Sequence, residues 1–265
     1  MDSTLAKGLT VLEWLAREQR PCRVSEVADA LNLARSNAHR TLQTLVACGW
    51  ATQDETSAYA TGLKLFELGA LGGQLRDLRL HLRPMIERLA GETGETIHLA
   101  ALEGGELVYL DKLDSPLPVA AYSRIGGRAP AYCVAGGKAL LAALGEDIPR
   151  LQERIGTLHR HTPSSITTWD ALLAELQATR ERGYALNREE WRIGVCGLGA
   201  PVFDAEGRPV AAIGITVPNI RFGKSQLRVL AQRLVECAAD ASRSLGYAVR
   251  AQPASSLKNF NRRQP

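Results

Sequence analysis

The feature that most constrains the fold is residues 22–59, where two short helical segments are followed by a glycine stop and two extended segments. Residues 25–31 predict one helix, and Asn32 with Leu33 predicts a tight turn before a second helix that ends at Gly49. Beyond Gly49, two short extended segments flank the turn-forming sequence DETS. This order of elements predicts a winged helix-turn-helix.

The second helix of this stretch has two different sides. At about 100° per residue, Ala38, Leu42 and Leu45 fall together on an apolar side. The opposite side carries Ser36, Arg40 and Gln43, and no acidic residue occurs between positions 34 and 48. A helix with this polar side is typical of a recognition helix that contacts base edges in the DNA major groove.

The distribution of charge gives DNA binding no independent support. The formal net charge is +4, but residues 1–62 contain six basic and seven acidic side chains. Residues 250–265 contain four basic side chains and no acidic one, which accounts for the whole excess. Two alternatives follow: the basic tail supplies charge for DNA, or the winged helix is a protein-interaction surface of a sensor or enzyme module.

Composition places the chain among globular proteins of the cytoplasm. The 265 residues exceed one typical domain, and no run of 18 apolar residues or signal-peptide core occurs. The five cysteines are scattered without a CxxC motif, which favours reduced thiols. We therefore expect no membrane partner.

The hydrophobic periodicity divides the rest of the chain into a linker and an α+β domain. Residues 1–62 are the predicted winged helix-turn-helix domain, beginning with a helix over residues 4–17. Residues 63–82 contain apolar and small residues at helical spacing, which predicts a linker helix that pairs between subunits or, alternatively, caps the first domain. Pro84 predicts the start of a fresh helix over residues 85–92.

Residues 83–248 alternate in the manner of antiparallel strands with helices outside them. The expected strands cover residues 97–102, 107–110, 119–125, 198–203 and 210–217, and the expected helices cover residues 136–144, 148–155, 169–181 and 225–245. The tail, residues 249–265, is rich in Gln, Ser, Asn and Pro and is predicted to be disordered.

Three stretches together resemble the IclR family of bacterial transcriptional regulators: RSNAHRTLQTL at residues 35–45, GGRAPAYCVAGGKALLAAL at 126–144, and RGYALNREEWRIGVCGLGAPVFDAEGRPVAAIGITVP at 182–218. The resemblance covers residues 4–247. It implies an N-terminal winged helix-turn-helix, a linker helix, a C-terminal GAF-like effector-binding domain with an antiparallel sheet, and dimers or tetramers on operator DNA. It also implies a ligand-responsive regulator of a catabolic pathway that is not an enzyme and needs no cofactor.

The resemblance also assigns functional residues by position. The expected DNA contacts are Arg35, Ser36, Asn37, His39, Arg40 and Gln43, although His39 could equally be an ordinary surface residue. The expected effector contacts are Val134, Ala135, Gly136, Asn187, Cys196, Gly197, Gly214 and Thr216. Three positions depart from the family pattern: a frequent acid is Asn187, a frequent cysteine is Gly197 with Cys196 one residue earlier, and a common serine is Gly214.

These departures suggest a hypothesis about the effector. Because they remove polar groups and open volume, the pocket should favour an aromatic acid or a similar organic acid over a two- or three-carbon keto acid. Arg124 or Arg128 could pair with the ligand carboxylate, and Tyr132 could stack on its ring. The alternative assigns both arginines to surface salt bridges.

Several motifs that suggest catalysis or metal binding are better explained by structure. The sequence at Gly136–Lys138 lacks the first glycine and the Ser or Thr of a phosphate loop. Glu189 and Glu190 are neighbours, so they point apart in an extended segment and favour salt bridges over catalysis. His159 and His161 have no further ligand at metal spacing and predict a solvated loop. No cysteine or serine lies in a nucleophile motif.

Overall fold

The computed structural model describes residues 2–71, 73–118 and 123–248. The chain divides into two compact units, Met1–Asp77 and Leu78–Pro265. Within the described ranges, no helix combines the length and apolar character needed to cross a membrane. The tail at residues 249–265 and its predicted disorder lie outside the described residues.

The N-terminal unit is a three-helix core with a small hairpin. Its elements in chain order are α1 (Ser3–Glu18), α2 (Val24–Ala30), α3 (Arg35–Ala47), β1 (Ala51–Gln53), β2 (Tyr59–Thr61) and α4 (Lys64–Leu71). The core contains Val11 and Leu15 of α1, Val27 of α2 and Leu42 of α3, all at most 2% exposed. The predicted winged helix-turn-helix is therefore confirmed.

Local hydrogen bonds fix the turn and the wing. Asn32 adopts a left-handed conformation with φ of 49°, and the Leu33 N–H donates to the Ala28 carbonyl at 2.8 Å. In the turn between β1 and β2, the Asp54 carboxylate accepts hydrogen bonds from the backbone N–H groups of Thr56 and Ala58 at 2.9 Å each. These contacts use the turn residues that the sequence identified.

A long helix, α5 (Gly73–Thr93), carries the chain from the first unit into the second. Pro84 lies inside it, so the prediction of a fresh helix at this residue is wrong. Proline removes one helical N–H donor, but Leu82, Ile86 and Leu89 are completely buried on the same helix. We attribute the continuity of α5 to this burial, which outweighs the loss of one hydrogen bond.

The C-terminal unit contains one six-stranded antiparallel sheet with helices on both faces. Its strands are β3 (Thr96–Glu103), β4 (Glu106–Leu113), β5 (Arg128–Pro130), β6 (Ala185–Arg188), β7 (Val195–Phe203) and β8 (Pro209–Pro218), in the sheet order β5-β4-β3-β8-β7-β6. Its further helices are α6 (Ala135–Leu144), α7 (Ile148–Ile155), α8 (Trp169–Arg182) and α9 (Lys224–Ser244). The predicted α+β class and antiparallel sheet are confirmed.

The two faces of the sheet are covered by different helices. Helices α5 and α9 pack on one face through an apolar core that includes Leu99, Ile213 and Leu234. Helix α6 lies on the other face, against β7 and β8. Of the strand predicted at residues 119–125, residues 119–122 lie outside the described residues and residues 123–125 form a loop that precedes β5.

Candidate functional site

Helix α3 presents the polar surface that its sequence predicts. Ala38 and Leu42 are fully buried, whereas Arg35, Ser36, His39 and Arg40 are exposed and Asn37 is half-buried. The Asn37 Oδ1 accepts a hydrogen bond from the Arg40 Nη2 at 3.0 Å. This contact holds the Arg40 guanidinium over the exposed side of the helix, where it can reach an acceptor on a partner.

A groove separates the start of α3 from the tip of the wing. Its lining residues are contributed by the start of α2, the start of α3 and the wing turn: Arg23, Val24, Ser25, Arg35, Ser36, His39, Thr56 and Ser57. Two arginines and several hydroxyl groups line this groove, a chemistry that suits a phosphate backbone. The sequence analysis did not select Arg23, because it precedes α2 and belongs to no recognition-helix pattern.

Gln43 faces the wing instead of the exposed side of α3. Its Nε2 donates to the Tyr59 hydroxyl at 2.8 Å and lies 3.1 Å from the Gln53 Oε1. Tyr59 is completely buried and also pairs through its backbone with Cys22. The amide nitrogen of Gln43 is therefore engaged in fixing the hairpin against α3, unlike the exposed side chains predicted to contact DNA.

The second candidate site is a cavity of about 360 Å³ on the α6 face of the sheet. Eight of the ten predicted effector contacts line it: Arg124, Val134, Ala135, Gly136, Asn187, Gly197, Gly214 and Thr216. Three strands, the start of α6 and the loop before β5 bring these residues together, although they are separated by up to 92 positions in the sequence. The structure thus assembles most of the predicted effector site in one cavity.

Two predicted effector contacts, Tyr132 and Cys196, are absent from the lining. Tyr132 is buried in a separate apolar cluster, and its hydroxyl accepts from the His159 N–H at 2.8 Å and donates to the His159 carbonyl at 3.1 Å. Cys196 alternates with the cavity residue Gly197 on β7 and has its Sγ 3.8 Å from the Asn219 Oδ1. Tyr132 and Cys196 therefore lie apart from the other eight predicted effector contacts.

The aromatic wall of the cavity comes from residues that the sequence analysis missed. Tyr109 and Trp191 line the cavity, and the Tyr109 ring lies 4.8 Å from the ring of His98. His98 bonds the Ser123 Oγ at 2.6 Å through Nε2 and the Thr216 Oγ1 at 3.2 Å through Nδ1. Burial lowers the pKa of His98 to about 4, so its imidazole is neutral at physiological pH.

Close backbone contact places the first turn of α6 at the cavity. A Cβ atom added at Gly199 would lie 2.5 Å from the Ala135 carbonyl carbon, and one added at Gly137 would lie 2.3 Å from the Ala131 carbonyl oxygen. Only glycine allows such approach. Gly137 therefore packs on the turn before α6, and Gly199 of β7 packs on the first turn of α6, so close packing rather than a phosphate loop accounts for these glycines.

A buried ion pair joins α6 to the segment that follows β6. The Lys138 Nζ is 2.7 Å and 2.6 Å from the two carboxylate oxygens of Glu190, and Lys138 is 1% exposed. Glu175 lies 3.6 Å from the same nitrogen. The salt-bridge interpretation of Glu190 is confirmed, and the engaged Lys138 is not available to bind a phosphate.

The arginines at the cavity differ in their partners. Arg128 forms ion pairs with Glu103 and with Glu106, the latter at 3.1 Å, as the salt-bridge alternative predicted. Arg124 lines the cavity and forms no ion pair with any residue that the structure describes. Of the two candidates for a ligand carboxylate, Arg124 is the one whose guanidinium is available.

The remaining histidine pair has structural contacts. The ring of His161 lies edge-on to Trp191 with a centroid distance of 4.5 Å, and its Nε2 is 3.2 Å from the Tyr132 hydroxyl. Over the described ranges, no group of three His, Cys, Asp or Glu side chains could hold a metal ion. The His161 ring therefore contacts Trp191, while His159 and His161 both remain exposed, as the prediction of a solvated loop states.

Comparison with known proteins identifies the family. The family model described as Bacterial transcriptional regulator IclR C-terminal matches residues 74–243, and the IclR helix-turn-helix domain model matches residues 4–55. The chain belongs to the IclR family. The HTH-type transcriptional regulator KdgR of Escherichia coli (strain K12) is 36% identical over 247 residues, covering 92% of this chain and 93% of that relative.

Solved IclR-family structures share the whole architecture. The IclR of Thermotoga maritima is 32% identical with a TM-score of 0.75, and the match covers 93% of this chain and all of that one. An IclR homologue from Microbacterium hydrocarbonoxydans, solved in complex with 4-hydroxybenzoate, is 26% identical with a TM-score of 0.80, covering 92% and 99% of the two chains. This IclR-family chain is accordingly a transcriptional regulator and not an enzyme.

Proposed function

We propose that the chain represses or activates a catabolic operon in the cytoplasm by binding operator DNA through α3, with Arg35, Ser36, Asn37, His39 and Arg40 as the reading residues. The observation that carries this proposal is the exposed polar side of α3, which includes two arginines and no acid. Arg23 and Arg35 in the groove beside the wing are proposed to contact phosphates.

We further propose that two copies bind DNA together through the linker region. Large apolar side chains of the N-terminal unit are exposed at α4 and next to it: Leu63 at 70%, Phe66 at 73% and Leu71 at 78%. Such a cluster is typical of a protein interface, and a second copy suits a regulator that reads a two-fold operator. Pairing would also offset the near-neutral charge of residues 1–62.

A footprint on the DNA upstream of the encoding gene tests the DNA-binding proposal. We expect two protected half-sites centred about 34–36 Å apart, with affinity that falls steeply as salt rises, because bound phosphates release counterions. A single short protected site would argue against pairing. Absence of a footprint at low salt would favour a protein-interaction role for the winged helix.

For the effector, we propose an aromatic carboxylate that occupies the 360 Å³ cavity. The single observation that carries this proposal is the combination of a ring-lined wall, Tyr109 and Trp191, with the available guanidinium of Arg124. The cavity is far larger than a two- or three-carbon keto acid requires. The 4-hydroxybenzoate bound by the Microbacterium homologue supports the same class of ligand.

The two glycines that depart from the family pattern contribute unequally to this volume. A Cβ atom at Gly214 would have its nearest neighbour, the Leu198 carbonyl oxygen, at 3.5 Å, so a side chain would fit there. A Cβ atom at Gly197 would lie 2.8 Å from the Ile215 carbonyl oxygen. Gly214 therefore supports the argument for open volume, and Gly197 instead reflects close strand packing.

A thermal-shift series tests the effector proposal. We expect 4-hydroxybenzoate to stabilise the protein by about 2.7 kcal/mol at a hundred times its Kd, and Arg124→Gln to abolish most of this shift. Arg128→Gln is the matched control, because its guanidinium is already held by Glu103 and Glu106. Stabilisation by pyruvate or glyoxylate and by no aromatic acid would overturn the proposal.

A further inference from the structure

Strand β4 connects the cavity with helix α5, because its side chains change from one face of the sheet to the other along the strand. Tyr109 of β4 lines the cavity, whereas Asp111, two residues later, contacts helix α5 on the opposite face of the sheet. Residues two apart on a regular strand share a face. The register between β3 and β4 explains the exception. Leu99 pairs with Asp111 and Ala100 pairs with Tyr109, so Leu110 is the extra residue of a β-bulge.

Asp111 is the anchor of α5 on this strand. Its side chain is 1% exposed and lies 3.2 Å from the Arg79 Nε and 3.0 Å from the Arg83 Nη1. Burial alone would raise the pKa of Asp111, but hydrogen bonds from the Lys112 N–H, Arg83 and Arg79 hold this pKa below its ordinary value. The carboxylate is therefore ionised and compensated largely by two side chains of α5.

We propose that Asp111 is a positioning residue that transmits occupancy of the effector cavity from β4 to helix α5. The proposal rests on the proposed effector site. A ligand that displaces Tyr109 moves the bulged part of β4, where Leu110 has no partner in the β3 ladder. Separating the buried Asp111 carboxylate from Arg79 and Arg83 costs more than a small shift of α5, so the helix follows the strand.

The neighbouring ion pair of α5 offers a matched control. Arg88 pairs with Asp240 of α9, an element that contributes no residue to the cavity lining. Asp240→Asn therefore weakens an anchor of the same helix without affecting β4. If anchors of α5 were only structural, Asp111→Asn and Asp240→Asn would alter the helix in the same way.

Hydrogen exchange at the backbone amides of residues 78–83, 85 and 86 in the full chain tests the role of Asp111. Two inputs are applied at the cavity: 4-hydroxybenzoate, and the filling substitution Gly214→Trp. We expect Gly214→Trp to change exchange in α5 several-fold in wild type and in Asp240→Asn, and to leave it unchanged in Asp111→Asn. An equal response in Asp111→Asn, or no response to either input in wild type, overturns the proposal.

The two inputs separate this proposal from the effector assignment. A response to Gly214→Trp without a response to 4-hydroxybenzoate supports the role of Asp111 and overturns only the aromatic ligand. A response to both inputs that disappears in Asp111→Asn supports the role of Asp111 and the aromatic ligand together. Thermal unfolding of each variant establishes that the comparison is made between folded proteins.

Discussion

Replacing Lys138 by methionine is expected to destabilise the C-terminal unit by about 3–5 kcal/mol, because it leaves the Glu190 carboxylate buried without its partner. Both carboxylate oxygens lie within 2.7 Å of the Lys138 Nζ, and Glu190 is 7% exposed. Methionine preserves most of the volume of the lysine stem, so the loss reports the charge rather than a cavity. Urea unfolding followed by circular dichroism measures the effect.

Two further variants distinguish the loss of the ion pair from nonspecific destabilisation of the fold. The double variant Lys138→Met with Glu190→Leu is expected to recover most of the lost stability, since replacing both members of a buried pair by apolar groups is often neutral. Arg208→Met is the surface control, because Arg208 pairs with Asp204 at 2.7 Å but is 70% exposed, and no measurable change is expected. A double variant as unstable as Lys138→Met would contradict the ion-pair explanation.

The polar side of α3 could be predicted from sequence because it depends on local geometry alone. Helical periodicity places Arg40 opposite Leu42 and Ala38 whatever the rest of the chain does. The contacts of Gln43 depend on the opposite kind of geometry: its amide bonds Tyr59 and Gln53, which are 16 and 10 residues away. A contact between two elements of this kind is not encoded in the periodicity of either one.

The effector cavity likewise combines residues that local sequence signals predict with residues that only contacts between elements bring into place. The turn before α6 and the hairpin of β7 and β8 have sequence signals, and Gly136, Gly214 and Thr216 line the cavity as predicted by resemblance. The aromatic wall could not be found this way, since Tyr109 faces the cavity through the register of β4 with β3. Tyr132 lies only two residues before the lining residue Val134, but its ring packs in another cluster.

Helix α5 illustrates how tertiary burial overrides a local signal. Pro84 predicts a helix start on local grounds, and the loss of one N–H donor is real. The three buried side chains Leu82, Ile86 and Leu89 stabilise a continuous helix more than this loss destabilises it. Continuity also matters for the proposed role of Asp111, since Arg79 and Arg83 then lie on the same helix as the buried residues Leu82, Ile86 and Leu89.

Arg40→Ala is expected to weaken binding to the specific operator by about 1–3 kcal/mol, or roughly 5- to 150-fold, and to relax specificity at one base pair. The guanidinium is exposed on α3 and is oriented by Asn37 at 3.0 Å, an arrangement suited to a bidentate contact with guanine. Fluorescence anisotropy with the operator fragment and with variants of each base pair measures both effects.

The matched control removes the same charge from another helix. Arg17 lies on α1, is 67% exposed and pairs with Glu13, so Arg17→Ala should change operator affinity little.

Arg23→Ala serves a different purpose, because loss of a proposed phosphate contact should weaken binding to all sequences uniformly and reduce the salt slope by about one. If Arg40→Ala behaved like Arg23→Ala, Arg40 would be a phosphate contact and the base-reading role would pass to the first turn of α3, where Arg35 and Ser36 are exposed beside the wing. If it behaved like Arg17→Ala, the exposed side of α3 would not be the reading surface.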